Sequence, residues 1–140
     1  MNKSIVVDTN VFISALRSKR GASYKLIMAI GSGLFDMNIS VPLMLEYEGA
    51  AKRLIGETKL TSDDIDDIID YICSVAGRWK VFYLWRPFLR DPKDDMVLEL
   101  AVASESDFII SYNKKDFHGS ENFGIKVFTP KEFFKKIGGI

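Results

Sequence analysis

Hydrophobic positions along this chain switch repeatedly between two patterns, short β-branched runs and apolar residues at helical spacing. Ile5-Val6-Val7 is a run closed by Asp8, and Val11, Phe12, Ala15 and Leu16 then fall on one helical face, so the chain opens strand, turn, helix. A second helix is expected from Ala22 to Ile30, with Leu26, Ile27 and Ile30 together, and a second strand from Met37 to Val41. Pro42 then stands where a first helical residue tolerates a missing N–H, and that helix runs to about Ile55. Thr61 and Asp64 form a capping-box-like start before the stripe Ile65, Ile68, Ile69, Ile72 and Cys73, and Gly77 ends the helix. Lys80 to Leu84 reads as a third strand, Arg86 to Asp91 as a loop, and Asp94 to Ser104 as a helix so apolar, Glu99 apart, that it is expected to be buried. Phe108-Ile109-Ile110 and Lys126-Val127-Phe128 supply two more strands; Thr129-Pro130-Lys131-Glu132 opens a last helix that Gly138-Gly139 terminates.

Short apolar strands alternating with helices predict an α/β fold, a parallel sheet covered on both faces in a three-layer α/β/α sandwich. With 140 residues, no internal repeat and no linker-like stretch, the whole chain 1–140 is expected to be one domain. Apolar residues make up 47% and charged residues 27%, which excludes a disordered or collagen-like chain. Lys plus Arg and Asp plus Glu each number 19, so any attraction to a polyanion has to come from locally clustered charge. Cys73 is the only cysteine, which excludes an internal disulfide and a Cys-based zinc site and suits a reducing, cytoplasmic setting. The three apolar residues before Asp8 are too few for a signal segment, and no run is long enough to span a membrane.

In doubly wound α/β folds the chemistry sits beyond the carboxyl ends of the strands. Four acids are expected there: Asp8 after the first strand; Glu46 in the second turn of the helix after the second; the Asp91 and Asp94 pair opening the buried helix; and Asp116 after the fourth strand. Carboxylates gathered in one pocket raise one another's pKa unless a cation neutralises them. Oxygen donors without cysteine or paired histidine point to Mg²⁺ or Mn²⁺, ions that serve phosphoryl chemistry and suggest phosphodiester hydrolysis. Each acid also has a bland role. Asp8 could simply cap the helix that follows it, one acid of Asp91–Asp95 is expected to cap, and Asp95 is expected to cap or to sit on a solvated face. The run Asp63, Asp64, Asp66, Asp67 and Asp70 lies opposite an Ile stripe and is expected to be a solvated face.

Val6-Val7-Asp8-Thr9-Asn10-Val11-Phe12-Ile13-Ser14-Ala15-Leu16, Leu45-Glu46-Tyr47, Arg90-Asp91-Pro92-Lys93-Asp94 before Leu98-Glu99-Leu100-Ala101, and Phe108-Ile109-Ile110-Ser111 with Asp116-Phe117 together resemble the PIN-domain family. The likeness is closest to the branch of toxin components of toxin–antitoxin systems, the VapC-like ribonucleases. It implies a Mg²⁺- or Mn²⁺-dependent ribonuclease on a Rossmann-like five-stranded parallel sheet, often a homodimer and often inhibited by a small antitoxin protein. By the same resemblance the family's first three acids match Asp8, Glu46 and Asp94, and Asn10 and Ser14 match the polar residues supporting the first acid. Departure begins after the fourth strand, where the family commonly has Thr-x-Asp: Ser111 stands for the Thr and the neutral Asn113 for the Asp, with Asp116 the other candidate for the fourth charge.

An RNA substrate requires positive charge near that edge, because phosphate contacts supply most non-specific affinity. Arg17, Lys19, Arg20 and Lys25, then Arg86 and Arg90, then Lys114 and Lys115 are the candidates, with Trp85 and Phe88 as possible stacking platforms. His118, the sole histidine, is a weaker candidate than metal-bound water for the base, and Cys73 is expected in the core. Two alternatives stand beside the ribonuclease. One is a catalytically weak PIN-fold module that binds RNA or protein, hinted at by Asn113. The other is a different acidic-site, Mg²⁺-dependent phosphotransfer domain, against which Asn10 and the single acid after the first strand both argue.

Overall fold

The computed structural model describes residues 2–81, 89 and 91–138. Its strands are β1 (Lys3–Val7), β2 (Phe35–Ile39), β3 (Gly77–Arg78), β4 (Phe108–Ile110) and β5 (Lys126–Phe128), and its helices are α1 (Thr9–Arg17), α2 (Ala22–Met28), α3 (Val41–Lys52), α4 (Ser62–Val75), α5 (Pro92–Ala103) and α6 (Pro130–Ile137). The strands lie in the order β3-β2-β1-β4-β5, every pair parallel. This is the expected three-layer α/β/α sandwich. β1 is central, which explains its uninterrupted apolar run: Ile5, Val6 and Val7 are all fully buried, as a strand covered on both faces requires. α5 packs on β1, β2 and β4 and is buried, as its composition predicts.

Helix starts follow their capping chemistry. Thr61 and Asp64 form a reciprocal capping box at α4, Thr129 and Glu132 another at α6, and Pro stands in the first turn of α3, α5 and α6. Two boundaries differ from the pattern for the same reason. β2 stops at Ile39 because Ser40 turns its side chain to the Leu43 N–H and draws Val41 into α3. α5 begins two residues earlier than expected because Asp91 caps it through the Lys93 N–H at 2.9 Å. The acids of α4 form the expected outer face, with Asp63, Asp64, Asp67 and Asp70 exposed opposite buried Ile65 and Ile72. Cys73 packs partly buried against the core.

The third strand is displaced. Gly77, expected as a helix stop, opens β3, and Ala76 caps α4 instead. A Cβ at Gly77 would stand 2.8 Å from Asn38 Oδ1 and 3.3 Å from the Trp79 indole nitrogen, so any larger residue would have to displace the bond between those two side chains where this edge strand closes on β2. Lys80 and Val81 form no strand. The rest of the expected strand 80–84, most of the loop 86–91, and Arg86, Arg90, Trp85 and Phe88 lie outside the described residues. Among the described residues no helix is long and apolar enough to cross a membrane.

Candidate active site at the carboxyl ends of the strands

Register places the first acid. Val7 pairs with Ile110, so the next residues, Asp8 and Ser111, lie side by side, and the Asp8 N–H donates to the Ile110 carbonyl at 2.9 Å. Asp8 is both cap and site residue. Its Oδ1 accepts from the Thr9 N–H at 2.9 Å and caps α1, while Oδ2 accepts from the Ser111 hydroxyl at 2.7 Å and the Asn10 amide at 3.4 Å.

The buried Ser111 hydroxyl is used to capacity, one donor and two acceptor positions. It donates to Asp8 and accepts from the Asn10 amide at 3.3 Å and the Asn113 N–H at 3.0 Å. Asn10 Oδ1 in turn accepts from the Tyr112 N–H at 3.3 Å, so the turn after β4 is tied to the turn after β1. Ser14 sits half-buried on α1, and its hydroxyl makes no hydrogen bond to Asp8; the support comes from Asn10 and Ser111.

Glu46 is positioned by its neighbour. Tyr47 is fully buried on α3, stacks on Phe12 with ring centroids 4.7 Å apart, and donates its hydroxyl to the Val7 carbonyl one residue before Asp8. Burial, with the charges of Asp8 and Glu46, pushes the Tyr47 phenol well above its ordinary pKa and keeps it a neutral donor. Tyr47 therefore pins α3 against the end of β1 and sets half-buried Glu46 near Asp8. The sequence carries it only as the residue after the acid, with nothing to mark its hydrogen bond.

Asp94 is the third residue of α5, half-buried. Burial, then the charges of Asp8, Asp116, Asp91 and Asp95, push its carboxyl up to about 7. Burial likewise raises Asp8, opposed by its bonds from Ser111 and Thr9 and reinforced by the charges of Glu46 and Asp116. The four acids picked out in the sequence thus act on one another electrostatically, although they come from four elements. Asp116 lies exposed in a short 3₁₀ turn, Lys114–Phe117, and Asn113 just before it offers its backbone N–H to Ser111 while its side chain stays exposed.

Asp95 departs from expectation. It neither caps nor faces solvent: it is completely buried, its Oδ1 accepts from the Leu89 N–H at 2.7 Å, and its Oδ2 has no hydrogen-bond partner among the described residues. It ties Leu89 to the start of α5 beside Asp94. Periodicity could not reveal this, because the bond joins a side chain to backbone outside the helix.

As to metal, the donors are right in kind for Mg²⁺ or Mn²⁺, hard carboxylate oxygens whose mutual repulsion a cation would relieve. In arrangement they are not a finished cage. Among the described residues no group of three or more His, Cys, Asp or Glu side chains stands ready to hold a metal ion.

The cationic candidates are more scattered. Lys19, Arg20, Lys25 and Lys115 are exposed; Arg17 pairs with Glu57 at 3.3 Å, and Lys114 pairs with Glu132 through both carboxylate oxygens at 2.9 and 3.0 Å. Arg17 ends α1, roughly 14 Å along the helix from the acid at its start at 1.5 Å per residue, so it lies away from the carboxylates along the axis.

A profile described as the PIN domain matches residues 4–115, and the chain belongs to the PIN-domain family. No curated protein matches it significantly. The fold is similar to that of a chain in the crystal structure of VapBC2 from Rickettsia felis bound to a DNA fragment from their promoter: the TM-score is 0.61 at 14% sequence identity, over 89% of this chain and 98% of that one.

Proposed function

We propose that this PIN-domain protein is a metal-dependent endoribonuclease hydrolysing RNA phosphodiester bonds. In this reading Asp8 and Asp94 ligate Mg²⁺ or Mn²⁺, Glu46 ligates it or orients its water, and Asp116 completes the site through water. The bound ion would lower the pKa of a water and stabilise charge on the phosphate oxygens. The chain's own contribution is positional: Asn10 and Ser111 hold Asp8 in one orientation, Tyr47 holds Glu46 to the end of β1, and Asp91 caps the helix that carries Asp94. The observation that supports the reading is that burial first, and then the charges of neighbouring acids, raise the carboxyls of Asp8 and Asp94, a cost that a divalent cation would relieve. By the family resemblance the protein is a cytoplasmic homodimeric toxin with a small antitoxin as partner; the fold-level likeness to a VapBC2 chain is consistent with that assignment.

A second reading has its own support. The lack of a ready three-ligand group among the described residues, together with neutral Asn113, favours a catalytically weak PIN-fold module that binds RNA or protein. One experiment separates the two. Wild-type protein and Asp8→Asn are incubated with labelled single-stranded RNA with EDTA, Mg²⁺ or Mn²⁺; metal-stimulated cleavage by wild type, lost in the variant, is expected of the nuclease. RNA that stays intact with either metal, whether or not it is bound, leaves the second reading standing alone.

A further inference from the structure

Beyond β5, at the outer edge of the sheet, lies an open groove of about 340 Å³ whose lining includes Lys114, Lys115, His118, Ser120, Glu121 and Lys126. Its positive charge is largely uncompensated. Lys114 is engaged by Glu132, but among the described residues neither Lys115 nor Lys126 has an ion-pair partner, and the Glu121 carboxylate is turned to the Gly119 N–H at 3.1 Å. The wall is preformed. Residues 119–125 fold back as a tight loop with left-handed glycines at both ends, Gly119 at φ 104° and Gly124 at φ 75°, and the buried Ser120 hydroxyl closes it on the Ile125 carbonyl at 2.9 Å.

The cations are spaced along the strand. Lys126 opens β5 opposite Phe108, whereas Lys114 and Lys115 follow the end of β4 beyond the Ile110–Phe128 pair. Three residues of strand set the two backbone positions roughly 10 Å apart, a spacing that lets the lysines take successive charges on a chain. Lys114 and Lys115 also share their 3₁₀ turn with Asp116, so the end of the groove that they line lies within one short turn of an acid of the carboxylate set.

We infer that this edge is a backbone track for a single-stranded RNA, with Lys115 and Lys126 each taking a phosphate as the strand runs along β5 toward the acids. The inference rests on the ribonuclease reading for the identity of its ligand, and its test is independent of cleavage. A short fluorescein-labelled single-stranded RNA is titrated with protein in EDTA, by anisotropy, over a series of salt concentrations. For single strands each phosphate contact contributes about 0.7 to the slope of log K against log salt, so Lys115→Gln/Lys126→Gln should flatten the slope by about 1.4 and weaken binding at low salt. The matched change Lys135→Gln/Lys136→Gln, in the last turn of α6, should leave the slope as in wild type. An unaltered slope in the Lys115/Lys126 variant, an equal loss in the α6 variant, or no RNA binding by wild type would each overturn the track. If the slope flattens as expected while Mg²⁺ and Mn²⁺ elicit no cleavage, the track stands and the nuclease assignment falls.

Discussion

Asp94 offers a quantitative test of the idea that the carboxylates are held together against their own repulsion. Its carboxyl is raised from 3.8 to about 7, by burial first and then by Asp8, Asp116, Asp91 and Asp95. The sign follows from proton counting. Between those two values the folded protein holds a proton that the unfolded chain has released, so folding stability falls as pH rises from about 4 to about 7 and is lowest above that. At about 1.4 kcal/mol per unit the full shift would be roughly 4 kcal/mol, but Asp94 is only half-buried, and solvent screening reduces this to roughly 1–2 kcal/mol. Asp94 also lies in the first turn of α5, where a negative charge gains about 0.3–1 kcal/mol from the helix N-terminus, and Asp94→Asn forfeits that gain. The net expectation for Asp94→Asn at pH 8 in EDTA is a stabilisation of about 1 kcal/mol, or about 3–5 °C in Tm for a domain of this size. The gain should shrink steadily as pH falls toward 4. Adding Mg²⁺ at pH 8 should raise the Tm of wild type more than that of the variant, because only a ligand that binds the folded site stabilises it. Thermal unfolding followed by circular dichroism reads all three quantities. A Tm several degrees below wild type at pH 8 would make Asp94 a structural residue of the α5 start, and a gain independent of pH would refute the electrostatic argument.

Two further substitutions probe the scaffold under the acids. Ser111→Ala removes the one donor and both acceptor positions of a buried hydroxyl, and should cost about 2–3 kcal/mol in urea unfolding and raise the Asp8 pKa further, because a bond that lowers it is gone. A loss under 0.5 kcal/mol would mean that the network contributes nothing to the fold, on the same scale of hydrogen-bond energies. Tyr47→Phe keeps the ring against Phe12 but leaves the buried Val7 carbonyl without its side-chain donor; about 1–2 kcal/mol should be lost by the same assay, and any RNA cleavage should fall because Glu46 is no longer anchored. Cleavage unchanged at full stability would separate Glu46 placement from Tyr47.

What could be read from the sequence divides along physical lines. Periodicity and caps are local, so β1, β4, β5 and α6 fall where the pattern puts them, and the burial of α5 follows from its composition. Strand order and register are not local, yet the expectation that acids after parallel strands share an edge needs only that the strands be parallel. The misses are residues whose roles depend on a distant partner. Gly77 looks like a helix stop until Asn38 and Trp79 close over it. Asn38 itself, an amide between Met37 and Ile39 of β2, donates to Ser4 Oγ at 2.6 Å and Ser106 Oγ at 3.0 Å, a polar join between three segments that no pattern announces. Asp95 looks like surface because it stands among acids, and it is buried because Leu89 needs an acceptor.

The turn after β4 shows how the fold reconciles a neutral residue with a charged site. Ser111 stands beside Asp8 by register, and Asn113, two residues on, gives its backbone N–H to the Ser111 hydroxyl, so this position stabilises the turn through backbone rather than through charge. A carboxylate at 113 would have added a further anion to a neighbourhood where Asp94 is already raised to about 7. The chain instead brings its next acid one 3₁₀ turn later, at Asp116, which is exposed yet still acts on both Asp8 and Asp94. Water screens an exposed carboxylate more than a buried one, so Asp116 adds negative potential at a smaller cost in folding free energy. The same turn sets Lys114 and Lys115 directly before Asp116, so charges of opposite sign meet within one short segment.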